Sequence, residues 1–429
     1  METFLRRCRD ALMENGDSSP GFHVVMGNEA CDLDSMVSAL AFAYYLSKTV
    51  HSDWLPVPVL NILKEEFVLR TDSVFLLRQT GLSQDLLLFR DQLDLRDLQR
   101  SGRLALTLVD HNILPSSDSD LEEAVVEVID HHHMERDPSP SCPVTVEMVG
   151  SCATLVTERI VQKAPDILDQ QLAQLLYGTI VLDCVNMAPE AGKVTPKDSQ
   201  YAALLEKHFP SLPPRGALFQ SLQNAKFDVS GLTTDQMLLK DMKAVTGGDL
   251  HLAISVIYMT LEKFLQRTDL EQKLSAFCQK HQYDLLLAMT ISFKDNKEPF
   301  RQLAVYSHSA PHLEEVSQAL EQARNPTLNL CPISSPHLHI KAYHQGNTLA
   351  SRKKLLPIVK DFLRERERDG CHGDHDEAGL EEDSQVPPTP MNSLVEGCPL
   401  DNGLPPISAQ ALEEKFSKMV DQEDGEGGH

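Results

Sequence analysis

The feature that most constrains this chain is a series of carboxylates placed where apolar runs end. Three runs in the first half are rich in β-branched residues and are typical of strands: residues 22–26, 104–109 and 124–129. Segments carrying Asp34, Asp110 and Asp130 end or follow these runs, and Asp183 closes a longer mixed apolar run. Buried carboxylates are costly unless a positive charge lies among them, so this pattern predicts a cation site.

Helix-like segments alternate with the strand-like runs. Apolar residues at helical spacing predict helices over residues 34–48, 152–161 and 170–182. Two further strands are predicted over 54–62 and 144–149. Such alternation predicts an α/β domain with a mostly parallel sheet flanked by helices. Sites in such sheets form at the carboxyl ends of strands, where most of the acids fall.

A polar stretch containing five prolines, 188–214, predicts a joint before a second, smaller mixed α/β domain. The elements predicted after it are a helix over 233–243, strands over 250–258, 283–293 and 300–306, helices within 261–280, and a last helix ending near 368. The polar turn 294–297 between two strands predicts an antiparallel hairpin. The predicted organisation is a first domain at 1–190, a linker at 191–214, a second domain at 215–368 and a tail at 369–429.

The tail differs in composition from the rest of the chain. It carries 15 Asp and Glu against two Lys, a net charge of −13 out of −24 for all 429 residues. A segment so acidic and so poor in apolar side chains cannot offset its ordering entropy, which predicts a disordered region available for binding partners.

Charge and cysteine content exclude several protein classes. A net charge of −24 argues against nucleic acid or an anionic membrane as the main partner. The nine cysteines are scattered, no signal-like stretch is present at the N-terminus, and no apolar run could span a membrane. We therefore expect a cytoplasmic protein with reduced cysteines and no membrane span.

The acid-bearing segments suit a pair of oxygen-seeking ions such as Mn²⁺ or Mg²⁺. Asp32 and Asp34 could reach neighbouring ions from one loop, and Asp110 could bridge both ions. His131 and Asp183 could complete the ligands of the second ion. Two such ions activate water for attack on phosphorus, which predicts a hydrolase of phosphate compounds. Each motif alone has a simpler interpretation, because an Asp-x-Asp pair often caps a helix and a His run is often solvated.

Three consecutive cations, Arg352, Lys353 and Lys354, precede the last predicted helix. Cations are disfavoured at the positive end of a helix dipole, so their presence there suggests that they hold an anion. A solvated helix start is the alternative. If they face the metals, these side chains could bind the outer phosphates of a substrate.

Taken together, the motifs resemble those of the DHH phosphoesterases that carry a DHHA2 second domain, and the resemblance is closest to the exopolyphosphatase branch. The segments that carry it are 28–35, 109–112, 130–132, 178–183 and 351–354. The resemblance implies that the following residues hold two Mn²⁺ or Mg²⁺ ions: Asn28, Asp32, Asp34, Asp110, His131 and Asp183. It further implies a catalytic set of Asp110, His131 and His132, and a phosphate-binding set of His132, Arg352, Lys353 and Lys354.

The activity implied by the resemblance is hydrolysis of short polyphosphate or pyrophosphate. Two other roles stay open: cleavage of cyclic nucleotides by the same ions, or mainly an interaction role in which the tail binds a nucleoside diphosphate kinase. The resemblance also implies links to microtubules and cell migration, and locations in the nucleus and at focal adhesions besides the cytoplasm.

One position departs from the related pyrophosphatases, which carry a histidine where this chain has Asn28. An amide oxygen is a weaker ligand than a neutral imidazole. We therefore expect that one of the two ions is held less tightly here or needs substrate in order to bind.

Overall fold

The computed structural model describes residues 1–13, 21–51, 53–137, 142–293 and 299–370. These residues fall into two compact units. The first unit is Met1–Phe227 and the second begins at Asp228.

The first unit is built on a five-stranded sheet in which every pairing is parallel, in the order β2-β1-β3-β4-β5. Its strands are β1 Phe22–Met26, β2 Leu55–Val59, β3 Leu104–Val109, β4 Val125–Asp130 and β5 Val144–Val146. Nearly every side chain of the three strands β1 to β3 is buried, because helices cover both faces of the sheet. The predicted parallel α/β architecture is confirmed.

Eight α-helices accompany this sheet in the described residues: α1 Glu2–Met13, α2 Leu33–Thr49, α3 Thr71–Gln79, α4 Leu95–Arg100, α5 Cys152–Lys163, α6 Gln170–Asp183, α7 Pro196–His208 and α8 Arg215–Phe227. Helix α2 is the central one, since its side chains are buried on all sides over its first three turns. It packs against β1 and β2 on one side and against α5 and α6 on the other. Its N-terminus therefore lies inside the unit, beside the carboxyl ends of the strands.

The first unit continues past the predicted linker at 191–214. That segment contains α7, which begins at Pro196 behind a capping box made by Thr195 and Asp198. Proline is well tolerated at the first position of a helix, where its missing N–H would have no partner anyway. Helix α8 packs against α3 and α6, so the compact unit extends to Phe227.

The second unit contains a six-stranded mixed sheet in the order β10-β11-β9-β8-β7-β6. Its strands are β6 Met242–Gly247, β7 Leu250–Ile257, β8 Leu285–Phe293, β9 Pro299–Tyr306, β10 Leu330–Ile333 and β11 Ile340–Gln345. Strands β7 and β8 are parallel, and the other neighbours are antiparallel. Its helices are α9 Thr234–Lys240, α10 Leu261–Leu265, α11 Leu270–His281, α12 Ala310–Gln322 and α13 Arg352–Gly370.

The predicted hairpin pairing of β8 with β9 is observed, although the turn at 294–297 lies outside the described residues. The predicted helix at 233–243 is wrong at its end, because α9 stops at Lys240 and β6 begins at Met242. The predicted acidic tail lies outside the described residues from 371 onward. Within the ranges given above, no helix is long and apolar enough to cross a membrane.

Candidate metal centre

The candidate site forms in the first unit where β1, β3 and β4 end. The loop after β1 brings Asn28 and Asp32, and Asp34 lies in the first turn of α2. Asp110 directly follows β3, and Asp130 is the last residue of β4. Because parallel strands end at one edge of a sheet, residues far apart in sequence meet there.

Asp32 and Asp34 cap two different helices. The Asp32 Oδ1 accepts a hydrogen bond from the Ser35 N–H at 3.1 Å and caps α2. The Asp34 oxygens accept from the N–H groups of Cys152 at 2.6 Å and Ala153 at 2.8 Å, at the positive N-terminus of α5. Both carboxylates therefore cap helices. Capping does not exclude metal binding by Asp34: its Oδ1 also accepts from the Ser38 hydroxyl at 3.1 Å, but its Oδ2 keeps a lone pair and lies 3.7 Å from the His131 Nε2.

Asp110 is the centre of the cluster. Its Oδ2 accepts hydrogen bonds from the Ser35 hydroxyl at 2.6 Å and the Asn28 amide at 2.9 Å, and its Oδ1 lies 3.2 Å from the His131 Nε2. Its backbone has φ of +62°, a left-handed conformation that costs a non-glycine residue roughly 1 kcal/mol. Such local strain persists where surrounding contacts fix the geometry, as they do here.

Contacts at the Nδ1 atom orient the rings of His131 and His132. A proton on the His131 Nδ1 can be donated to the Val149 carbonyl at 2.9 Å, which leaves the Nε2 lone pair facing Asp110. The His132 Nδ1 lies 2.8 Å from the Asp130 Oδ1, and its side chain is 49% exposed. The ligand atoms of Asp110, His131 and His132 lie within 4.8 Å of one another, close enough to surround one ion.

Like charges accumulate on the other side of the cluster. Burial, followed by the neighbouring Asp110, raises the pKa of Asp34 to about 7, although His131 opposes the shift. Burial and the charges of Asp34 and Asp32 raise the pKa of Asp183 well above its ordinary value. Asp183 is the last residue of α6, and its buried Oδ2 finds no hydrogen-bond partner in the described ranges.

These residues fit a divalent cation. The Asn28 amide donates to the Asp110 carboxylate and carbonyl, while its buried Oδ1 accepts no hydrogen bond from the residues described. Two orphaned oxygens, those of Asn28 and Asp183, thus lie in a cluster of crowded carboxylates beside the His131 Nε2, which is 3.2 Å from the Asp110 Oδ1. An oxygen-rich set of this kind suits Mn²⁺ or Mg²⁺ and removes the cost of burying like charges.

Two residues of the site escaped the sequence analysis as functional groups. Ser35 lies in the motif at 28–35 without a predicted role, yet its hydroxyl donates a hydrogen bond to the Asp110 carboxylate. Asp130 orients His132 and accepts hydrogen bonds from the Asn112 amide at 2.6 Å and the His131 N–H at 2.7 Å. Burial opposes ionisation of Asp130, but these bonds and His132 outweigh it and lower its pKa. The sequence signal for Ser35 and Asp130 was that both lie inside the motifs.

The predicted phosphate-binding cations belong to the second unit, at the start of α13. Arg352 is buried and forms an ion pair with Asp241 at 2.9 Å, whereas Lys353 and Lys354 are exposed. The role of these three residues in binding phosphate stays a prediction.

Comparison with known proteins gives independent information on both units. A family model described as "DHH family, N-terminal domain" matches residues 23–180, and one described as "DHHA2 domain" matches residues 220–362. The proteins named "Exopolyphosphatase PRUNE1" of Mus musculus and Homo sapiens are each 52% identical to this chain, over 98% of this chain and 97% of theirs.

A more distant relative is named a manganese-dependent inorganic pyrophosphatase, from Methanocaldococcus jannaschii. It is 28% identical over 169 residues, which cover 38% of this chain and 48% of that protein. The family predicted from the motifs is thus confirmed. The chain belongs to the DHH family with a DHHA2 second domain, in the group that includes PRUNE1.

Proposed function

We propose that this chain is a metal-dependent phosphohydrolase that cleaves phosphoanhydride bonds of short inorganic polyphosphate or pyrophosphate with two Mn²⁺ or Mg²⁺ ions. The observation that carries the proposal is that Asp34, Asp110 and Asp183 lie close to one another and to the His131 Nε2. Two buried oxygens in this cluster, the Asn28 Oδ1 and the Asp183 Oδ2, accept no hydrogen bond from the described residues. Relatives named an exopolyphosphatase and a manganese-dependent pyrophosphatase support the substrate class and the metal.

The residues that would hold the ions are Asn28, Asp32, Asp34, Asp110, His131 and Asp183. When bound, divalent ions supply a hydroxide near neutral pH and neutralise charge on the phosphate. Asp110 is suited to contact both ions, because Ser35 and Asn28 fix one of its oxygens while the other faces His131. The fixed carboxylate keeps the reacting groups in place without rearrangement.

His132 is suited to contact the substrate. Its Nδ1–H donates to Asp130, and this hydrogen bond raises the pKa of His132. The protonated, half-exposed ring can then donate from its Nε2–H to a phosphate oxygen. Arg352, Lys353 and Lys354 are the proposed ligands of the outer phosphates. Exposed Lys353 and Lys354 can approach a polyanion directly, whereas Arg352 also interacts with Asp241.

The test is phosphate release from tripolyphosphate in the presence of Mn²⁺. We expect Asp110→Asn to lose release by about a thousand-fold, since the ions contribute several kcal/mol to the transition state. Asp120→Asn is the matched control, because Asp120 is 53% exposed and pairs with Arg96. A folded Asp110→Asn protein with unchanged release would contradict the proposal.

A cyclic-nucleotide phosphodiesterase is the second candidate, and one observation favours it. Ile113, Met134 and Met148 are large apolar side chains that are 50%, 48% and 60% exposed, on the loops that follow β3, β4 and β5. Asn112 bonds to the His133 carbonyl, which brings two of these loops together. Such side chains could contact a nucleobase.

Parallel kinetics on cyclic AMP and tripolyphosphate would rank the two activities. We expect tripolyphosphate to have the higher kcat/KM. Changing Met134 and Met148 to Ser should affect cyclic AMP more than tripolyphosphate. Equal losses on both substrates would remove the support that these side chains give to the second candidate.

An interaction role for the acidic tail remains a separate proposal, motivated by its charge. Deleting residues 369–429 should leave phosphate release unchanged and abolish capture of a nucleoside diphosphate kinase. Capture by the shortened chain would exclude the tail as the binding segment. The cytoplasmic, nuclear and focal-adhesion locations, the microtubule link and a role in cell migration also stay proposals.

A further inference from the structure

A short segment without any predicted ligand contacts two of the proposed metal ligands. We name residues 149–153 the orienting segment. Its first residue accepts from the His131 ring through the Val149 carbonyl, and its last two donate their N–H groups to Asp34. The directions of the His131 Nε2 and the Asp34 carboxylate therefore depend on where this segment lies.

The orienting segment is held at both ends by one carboxylate, that of Asp198. The Asp198 Oδ2 accepts from the Gly150 N–H at 2.9 Å, and its Oδ1 accepts from the Thr154 hydroxyl at 2.6 Å, directly after the segment. Asp198 is fully buried in the first turn of α7. Its position in the fold thus connects α7 to the residues that aim the ligands.

Helix capping alone does not account for these contacts. In the capping box of α7, the Thr195 N–H donates to the Asp198 Oδ2 at 2.8 Å and the Asp198 N–H donates to the Thr195 hydroxyl oxygen at 3.4 Å. The Thr195 hydroxyl also donates to the Asp198 Oδ2 at 2.7 Å. The bonds to Gly150 and Thr154 reach a different element. A buried carboxylate that accepts four hydrogen bonds is well satisfied, and removing it leaves several donors without a partner.

Close packing leaves no room for a side chain at Gly150 in the orienting segment. A Cβ added at Gly150 would lie 2.4 Å from the Cys184 Sγ and 2.4 Å from the Lys193 carbonyl oxygen. Cys184 follows Asp183 in sequence, so the segment also packs against the end of α6 that carries this proposed ligand. One buried contact region thus adjoins three of the six proposed metal ligands.

We propose that Asp198 is a positioning residue of the metal centre: it holds the orienting segment so that His131 and Asp34 point at the ions. The inference rests on the proposed function and adds a residue that contacts neither substrate nor metal. Groups that orient metal ligands typically change metal affinity by about ten- to a hundred-fold when they are altered.

Calorimetric titration of the metal-free full-length protein with MnCl₂ tests the proposal without relying on activity. We expect Asp198→Asn, which keeps the shape but loses part of the acceptor capacity, to weaken Mn²⁺ binding by about ten-fold. Asp198→Ala should weaken it further. At saturating Mn²⁺, phosphate release by Asp198→Asn should recover most of the wild-type kcat.

Asp118→Asn is the matched control, because Asp118 is also a buried carboxylate of the first unit but pairs with Arg90 and Arg96. It should lower the thermal midpoint and leave Mn²⁺ affinity unchanged. Folded Asp198→Asn with wild-type Mn²⁺ affinity would overturn the positioning role. Wild-type protein that binds no Mn²⁺ would instead overturn the proposed function.

Should Asp198→Asn not fold, Thr154→Val provides the same test at lower cost to stability. It removes the 2.6 Å bond to Asp198 while keeping the side-chain volume. We expect a few-fold loss of Mn²⁺ affinity, equivalent to one hydrogen bond of about 1 kcal/mol. Unchanged affinity in this variant would also overturn the inference.

Discussion

Two clusters of buried charge, one in each unit, are built in opposite ways. In the second unit the buried Arg352 and Asp241 lie 2.9 Å apart, and the Tyr258 hydroxyl donates to the same carboxylate. In the first unit Asp34 and Asp183 are surrounded by further carboxylates, and burial with this crowding raises the pKa of both. Buried opposite charges of one chain neutralise each other, whereas buried like charges indicate that a cation from solution neutralises them.

Breaking the pair in the second unit should have the largest effect on stability. We expect Asp241→Asn to lower the free energy of unfolding by roughly 3 kcal/mol, because Arg352 would lose its buried counter-charge. Urea unfolding followed by circular dichroism measures the change. The control Asp361→Asn, on an exposed pair with Arg364, should shift the midpoint little, and equal shifts would show that burial does not matter.

The second-largest effect on stability is expected when a cation binds to the acid cluster of the first unit. Mn²⁺ at about 100 times its dissociation constant should stabilise the native state by about 2.7 kcal/mol, because the ion binds the folded site and not the unfolded chain. Thermal unfolding with Mn²⁺ and with EDTA measures the difference. A midpoint that does not respond to Mn²⁺ would mean that the acid cluster is not a cation site.

Removing one of the crowded carboxylates should stabilise the protein, which is the opposite of the effect expected for Asp241→Asn. In metal-free protein, Asp183→Asn should raise the free energy of unfolding by roughly 1 kcal/mol, because relief of repulsion and burial outweighs the lost carboxylate. The same variant should lose most of the stabilisation by Mn²⁺. Destabilisation of the metal-free protein would contradict the comparison between the units.

The smallest effect is expected for an exposed cation. Lys353→Ala should raise the KM for tripolyphosphate by a few-fold, equivalent to about 0.5–1 kcal/mol for a solvent-screened contact, without altering Mn²⁺ affinity. Lys280→Ala, on the exposed side of α11, is the control for lost surface charge. Identical KM changes in both variants would assign the effect to net charge alone.

Local sequence patterns were sufficient to predict the strands of the first unit's sheet. Strand β3 spans the predicted residues 104–109, and Asp110 follows it directly, because a continuous apolar run bounded by polar residues defines a buried strand. The six proposed ligands could be named because they lie at such boundaries or within short motifs. Their mutual contacts could not be predicted, since residue partners across a sheet edge depend on tertiary packing.

Other elements were hidden by ambiguous signals. Prolines between 188 and 214 suggested a linker, although Pro196 begins α7. Strand β6 was included in a predicted helix, because its residues follow α9 without a turn signal. Strand β10 contains Pro332, which is tolerated there because β10 is an edge strand.

The bonds from Asp34 to the first N–H groups of α5 have one more consequence. The carboxylate proposed to face the ions also protects the backbone amides of Cys152 and Ala153, both fully buried. Isotope exchange at these two amides should therefore report whether the ions are bound, from the interior of the domain and without an added label.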